Sequence, residues 1–171
     1  MKNLQNLNQK IIDSSDLLEL IPALKDEGKK IVFTNGCFDI LHKGHVTYLA
    51  LAADFGDVFV LGLNSDDSVR RQGKGNDRPV NDFDARATVV AALGFVNYVV
   101  EFDDDTPLRL IEMVMPDVLV KGGDYDALEI DPTKKTFIVG SDRVKSNGGA
   151  VETIDLVKGF STTGLINKLR K

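Results

Sequence analysis

The residues best placed to do chemistry fall in one stretch, Thr34-Asn35-Gly36-Cys37-Phe38-Asp39-Ile40-Leu41-His42-Lys43-Gly44-His45. It holds both of the chain's 2 histidines, three residues apart with a glycine between them. In a first helical turn, residues i and i+3 face the same way. Gly44 leaves room for a ligand to approach the backbone, and the free N–H groups and dipole of a helix start favour anions. Two imidazoles at such a point suit the oxygens of a polyphosphate. A lone loop histidine is usually just solvated, and a metal site would need a third ligand that no obvious spacing supplies. Set at a strand-to-helix junction, the pair reads as a phosphate site.

The surrounding pattern supplies that junction. Lys30 to Thr34 reads as a short buried strand, and Val46, Leu49, Ala50 and Ala53 then recur at helical spacing up to Gly56. A helix is expected over Ser15–Glu27, opened by Asp16 and bent or split by Pro22. Asp57–Leu63 reads as a second strand, 64–81 as a polar loop, Asp82–Leu93 as a helix and Asn97–Phe102 as a third strand. A helix over Thr106–Met115, capped by Thr106 with Pro107 at its first position, leads to a fourth strand at Asp117–Val120. Beyond it, Phe137–Val139 and Val151–Leu156 read as short strands and Thr162–Leu169 as a last helix.

Strands alternating with helices imply βαβ units, hence an α/β fold with a Rossmann-like, doubly wound parallel sheet. Residues 1–28 read as an N-terminal helical extension and 29–171 as a single α/β domain. Ligands in such a sheet bind beyond the carboxyl ends of the strands. That expectation selects 34–45, 64–78, 121–125 and 159–163.

Composition narrows the function. The 171 residues carry a net charge of −5 and no long Lys/Arg block, which argues against binding nucleic acid through its phosphates. The single cysteine, Cys37, cannot form an intrachain disulfide or a Cys-rich zinc site. No apolar run approaches the roughly 18 residues needed to cross a bilayer, and the polar N-terminus has no signal-like core, so a cytoplasmic protein is expected. GxxxxGK[ST], GxGxxG after the first strand, and GxSxG are all absent, which removes the simplest P-loop, dinucleotide and serine-hydrolase readings.

The 36–45 stretch, with Phe38-Asp39 and His42-Lys43-Gly44-His45, resembles the signature of the nucleotidyltransferase α/β superfamily of cytidylyltransferases and adenylyltransferases. Asn64-Ser65-Asp66, Arg70-Arg71, Arg78-Pro79-Val80, the 84–87 helix start, Lys121-Gly122-Gly123-Asp124-Tyr125 and Gly159-Phe160-Ser161-Thr162-Thr163 follow in order. This set is similar to the adenylyltransferase domain of the bifunctional heptose kinase/adenylyltransferases, over roughly 29–171 and without the sugar-kinase half.

The resemblance implies transfer of AMP from ATP to a sugar 1-phosphate, D-glycero-D-manno-heptose 1-phosphate, giving ADP-heptose for the lipopolysaccharide core. His42, His45 and Lys74 would be catalytic. Thr34, Asn35, Gly36, Phe38, Asp39, Gly44, Asn64, Asp66, Lys121, Gly122, Asp124, Ser161, Thr162 and Thr163 would bind nucleotide, and Arg78 and Arg86 the acceptor. Mg²⁺ would arrive with ATP, no nucleic acid or membrane partner is implied, and the protein would be a homodimer. A phosphate nucleophile is already ionised at neutral pH, so positioning and charge neutralisation would suffice without a strong base.

Several positions carry a plainer reading beside the functional one. Lys74 sits in a loop one residue longer than the family pattern, where Gln72-Gly73 replaces a single apolar residue. Arg86 could form only an intrahelical salt bridge, and Ser161 only an N-cap. Lys43 is expected to face solvent, Asp103-Asp104-Asp105 to be a solvated acidic run, and Cys37 to be a small buried residue. Extra residues around 131–135 put the acceptor in more doubt than the nucleotide. The alternatives are glycerol 3-phosphate with CTP, a flavin or pantetheine phosphate with ATP, and a nucleotide-binding module without turnover.

Overall fold

The computed structural model describes residues 2–73, 75 and 77–169. Six parallel strands form one sheet in the order β1-β4-β3-β2-β5-β6. They are β1 (Ile11–Ile12), β2 (Ile31–Gly36), β3 (Val58–Asn64), β4 (Tyr98–Phe102), β5 (Val118–Gly122) and β6 (Ala150–Ile154). The helices are α1 (Lys2–Asn8), α2 (Ser14–Asp26), α3 (Lys43–Ala53), α4 (Asp66–Arg71), α5 (Phe83–Ala91), α6 (Leu108–Val114), α7 (Ser141–Ser146) and α8 (Thr162–Leu169).

Side chains alternate across the strands, so the sheet has two apolar faces. Val32, Leu61, Leu63, Val99 and Val120 pack against Tyr48, Leu49 and Ala52 of α3 and Ala87, Val90 and Ala91 of α5. Ile31, Phe33, Val60, Val100 and Leu119 face the other way, onto Leu17 and Ile21 of α2, Leu110, Ile111 and Val114 of α6, and Val144 of α7. From β2 the chain builds outward through β3 to β4, then returns to place β5 on the other side of β2. This reversal between β2 and β5 is where an open parallel sheet leaves a crevice at its carboxyl edge.

Four expectations are corrected. The polar stretch 64–81 contains α4, capped by the Ser65 hydroxyl, which accepts from the Ser68 N–H at 3.0 Å. Pro22 neither splits nor ends α2, which runs unbroken from an Asp13 cap. Helix α6 starts at Leu108, with Pro107 in the cap position and no side-chain cap bond, so Thr106 does not cap it. Residues 137–139 form no strand; Ile138 enters the second core and the chain turns at Gly140 into α7.

Residues 2–28 supply more than helix. Ile11 and Ile12 pair with Val99 and Val100, and the Lys10 ammonium donates to the carbonyls of Ala91, Leu93 and Val96 at 3.1, 3.3 and 2.8 Å.

Candidate active site

At the β2/β5 reversal lies a cleft of about 450 Å³. Its floor comes from the ends of β2 (Asn35, Gly36) and β5 (Lys121, Gly122), one wall from the 37–45 turn and the start of α3, and the other from 156–163.

His42 caps α3. Its Nδ1 accepts from the His45 N–H at 3.3 Å, which puts the proton of the neutral ring on Nε2. The two imidazoles stack with centroids 3.8 Å apart and planes 11° apart. His42 Nε2 and His45 Nδ1 are buried without a hydrogen-bond partner among the described residues. Burial pulls the His42 pKa below its ordinary value. Burial first, and then the neighbouring His42, pull His45 down to about 4. Near neutral pH both rings are therefore uncharged and held close together, with the Ile40 backbone beside His45 partly opposing the shift of that ring.

Small residues allow this packing. A Cβ on Gly44 would lie 3.1 Å from the His42 ring and 3.1 Å from the Phe160 Cβ. Phe38 adopts a left-handed backbone, φ 42°. Its ring meets His45 edge-on at 5.3 Å, and a Cβ on Gly36 would come within 2.8 Å of it.

The cationic side of the cleft is built as firmly. The Lys121 ammonium donates to Asn35 Oδ1 at 2.8 Å and lies 5.1 Å from the Tyr125 ring centroid. The buried Arg78 guanidinium donates through Nε to Asp39 Oδ2 at 2.5 Å. Asp39 also accepts from the N–H groups of Val80 and Asn81, so one carboxylate fixes the loop that carries Arg78. Ser161 accepts from the Gly164 N–H at 3.0 Å, in the manner of an N-cap, and Thr162 and Thr163 line the cleft beside it.

Asn35, Gly36, Phe38, Asp39, His42, Gly44, His45, Asn64, Arg78, Lys121, Gly122, Asp124, Ser161, Thr162 and Thr163 thus meet in one cleft. Three expected ligands do not line it. Thr34 is fully buried, its hydroxyl bonded to the Tyr48 hydroxyl at 2.6 Å and the Val120 carbonyl at 2.9 Å, so it ties β2 to α3 and β5. Arg86 and Asp66 pair with each other at 2.6 Å, and Arg86 is buried behind the cleft wall. Lys74 lies outside the described residues.

Other residues keep their plainer roles or differ modestly. Lys43 is exposed, with its ammonium 5.7 Å from the Phe160 ring centroid. Asp103 and Asp105 are not merely solvated: both pair with Arg71, at 3.4 and 2.8 Å. Cys37 lines the cleft half-buried, and its thiol donates to Gln72 Oε1 at 3.1 Å. Gln72 and Phe160 line the cleft from within the segments selected in the sequence, though not singled out there, and sequence reasoning missed Tyr48, Leu156 and Val157. Tyr48 was findable, lying one further turn along the face that carries His42 and His45. Leu156 and Val157 reach the cleft only through tertiary packing.

The parallel sheet with this strand order and a histidine pair at its reversal point has the Rossmann-like nucleotidyltransferase fold. The family model described as cytidylyltransferase-like matches residues 33–163, and the chain belongs to that family. The bifunctional protein HldE of Geobacter metallireducens is 55% identical over 160 residues, 94% of this chain and 31% of that protein. HldE of Campylobacter concisus is 56% identical over 153 residues, 89% of this chain and 30% of its own. The chain therefore spans about a third of the length of these relatives. Among solved structures, a lipopolysaccharide core biosynthesis protein from Thermoplasma volcanium superposes with a TM-score of 0.58 at 26% identity. That match covers 78% of this chain and all of the other.

Proposed function

We propose that this chain transfers AMP from ATP to D-glycero-D-manno-heptose 1-phosphate, releasing pyrophosphate and forming ADP-heptose for the lipopolysaccharide core. The observation that carries the chemistry is the buried His42 Nε2 at the cleft, which has no hydrogen-bond partner among the described residues. An unmet buried polar group is costly until a ligand satisfies it, and phosphate oxygens would do so. The similarity to HldE over 94% of the chain supports the choice of acceptor.

In this reading the ATP phosphates lie between the start of α3 and the start of α8. An oxygen of the acceptor phosphate attacks the α-phosphorus, the bond to the bridging oxygen breaks, and pyrophosphate leaves with that electron pair. The acceptor is already an anion, so no side chain need remove a proton. Neutral His42 donates from Nε2 to a phosphoryl oxygen as charge builds there, and Lys121 adds a cation from β5. Ser161, Thr162 and Thr163 receive the departing phosphates, and Arg78, fixed by Asp39, meets the acceptor phosphate. Lys74 belongs to this set as a further cation. Mg²⁺ enters as part of the Mg-ATP substrate and keeps most of its waters.

This proposal includes a cytoplasmic setting and a homodimer. Sedimentation of the purified chain over a concentration series tests the second. Pyrophosphate release with Mg²⁺ tests the reaction, using four nucleoside triphosphates against heptose 1-phosphate anomers, glycerol 3-phosphate and flavin mononucleotide. Release with ATP and a heptose 1-phosphate alone is expected. Release with another pair replaces the acceptor, and silence with every pair removes the transfer.

A further inference from the structure

Arg86 lies outside the cleft, yet three acceptors hold its guanidinium. Nε donates to the Asn81 carbonyl at 3.1 Å, one terminal nitrogen to the Cys37 carbonyl at 2.8 Å, and the other to Asp66 Oδ1 at 2.6 Å. It is the largest side chain among those that are fully buried. These contacts join α5, α4, the 78–81 loop and the Cys37–Phe38 turn at one point behind the cleft wall.

The Cys37 contact has a consequence across the peptide bond. In a planar trans peptide the N–H points opposite to the C=O. With the Cys37 carbonyl drawn toward Arg86, the N–H of Phe38 is directed away from Arg86, and both residues of that peptide line the cleft. Among the described residues that N–H has no acceptor. The left-handed conformation of Phe38, which a bulky residue rarely adopts, keeps it turned so. The same turn sets the Phe38 ring edge-on against His45.

We propose that Arg86 is a positioning residue: by holding the Cys37 carbonyl it presents the Phe38 N–H to the cleft as a phosphate donor beside the histidine pair. The inference rests on the reading of the cleft as a polyphosphate site, but it is read by binding as well as by turnover.

The first test uses the unaltered chain. The protein, labelled with ¹⁵N at its 9 phenylalanines, is titrated with inorganic pyrophosphate, and the Phe38 amide is assigned by its loss in Phe38→Leu. A downfield move of the Phe38 amide proton on binding is expected. Saturation of the site with that signal unmoved overturns the proposal.

The second test compares Arg86→Lys and Arg86→Met with Val90→Ala, a core truncation on the same helix. The Arg86 variants should bind pyrophosphate roughly tenfold more weakly and lower kcat roughly thirtyfold, while adenosine binds as before. Val90→Ala should lower Tm without either change. Arg86 variants that fold and bind pyrophosphate like wild type overturn the proposal; if neither folds, Asp66→Asn, which loosens the same guanidinium, takes their place, and unchanged pyrophosphate binding in it overturns the proposal. A responsive Phe38 signal without turnover sinks the transfer reading alone, and turnover with a silent Phe38 sinks the positioning role alone.

Discussion

The two ring nitrogens of His42 do separate jobs, and substitution can separate them. Nδ1 caps α3, and Nε2, without a partner among the described residues, is the donor in the proposed transfer. His42→Ala should remove both, costing about 1 kcal/mol of stability and roughly 10²–10³ in kcat. His42→Ser restores a cap but not the reach of the donor, so Tm should recover while pyrophosphate release stays low. Recovery of turnover in the serine variant would mean that the cap alone matters. His45 makes a prediction about pH. An unfolded imidazole titrates near 6.5, whereas folded His45 titrates at about 4. Between these values the unfolded chain binds a proton that the folded chain refuses. This contribution is therefore complete above pH 6.5 and is lost as pH falls toward 4, amounting to about 2–3 kcal/mol. Urea unfolding at pH 7 and pH 4.5 should show that loss in the wild type and a smaller one in His45→Gln. Equal losses would place the acid sensitivity elsewhere.

Elements act here through the carboxyl edge of the sheet, where short connections carry the site. Asp39 and Arg78 form a pair with almost no exposure, and the same carboxylate accepts the Val80 and Asn81 N–H groups. Asp39→Ala strands a buried guanidinium and frees a loop, so a loss of about 3–5 kcal/mol is expected in urea titrations. A loss below 1 kcal/mol would mean that water replaces the carboxylate. Gly44→Ala should do the reverse. Alanine raises helix propensity by roughly 1 kcal/mol, but its Cβ crowds His42 and Phe160, so Tm should hold while kcat/KM drops about tenfold.

The same scale explains what the sequence disclosed. The regular α/β alternation and the 42–45 pair were legible because apolar periodicity and local spacing carry them. Helix α4 was hidden because only Val69 in it is apolar and buried, and β1 because it has only two residues. The place of Arg86 was illegible for another reason: its partners Asp66 and Cys37 are 20 and 49 residues away in sequence, and only the fold joins them.

At the scale of the whole molecule, the question is whether residues 1–28 are an extension of the catalytic domain or part of its frame. The boundary at 28 follows the family motifs, which start in β2. The packing runs across it: β1 forms the edge of the sheet, Lys10 closes the end of α5, and Lys25 donates to the Met115 carbonyl at 2.7 Å. Leu17 and Ile21 of α2 are 0% and 4% exposed against β-strands and α6. Burying two such side chains is worth about 3–6 kcal/mol, a large share of the net stability of an ordinary domain. The active cleft, however, opens between β2 and β5, and β4 and β3 separate β1 from β2. Removal of 1–28 should therefore lower the urea midpoint sharply or leave the chain insoluble, while any folded fraction keeps the kcat and pyrophosphate affinity of the full chain. An unchanged midpoint would make the segment separable. A folded truncation with lost kcat would instead show that the far edge of the sheet sets the geometry of the histidine pair.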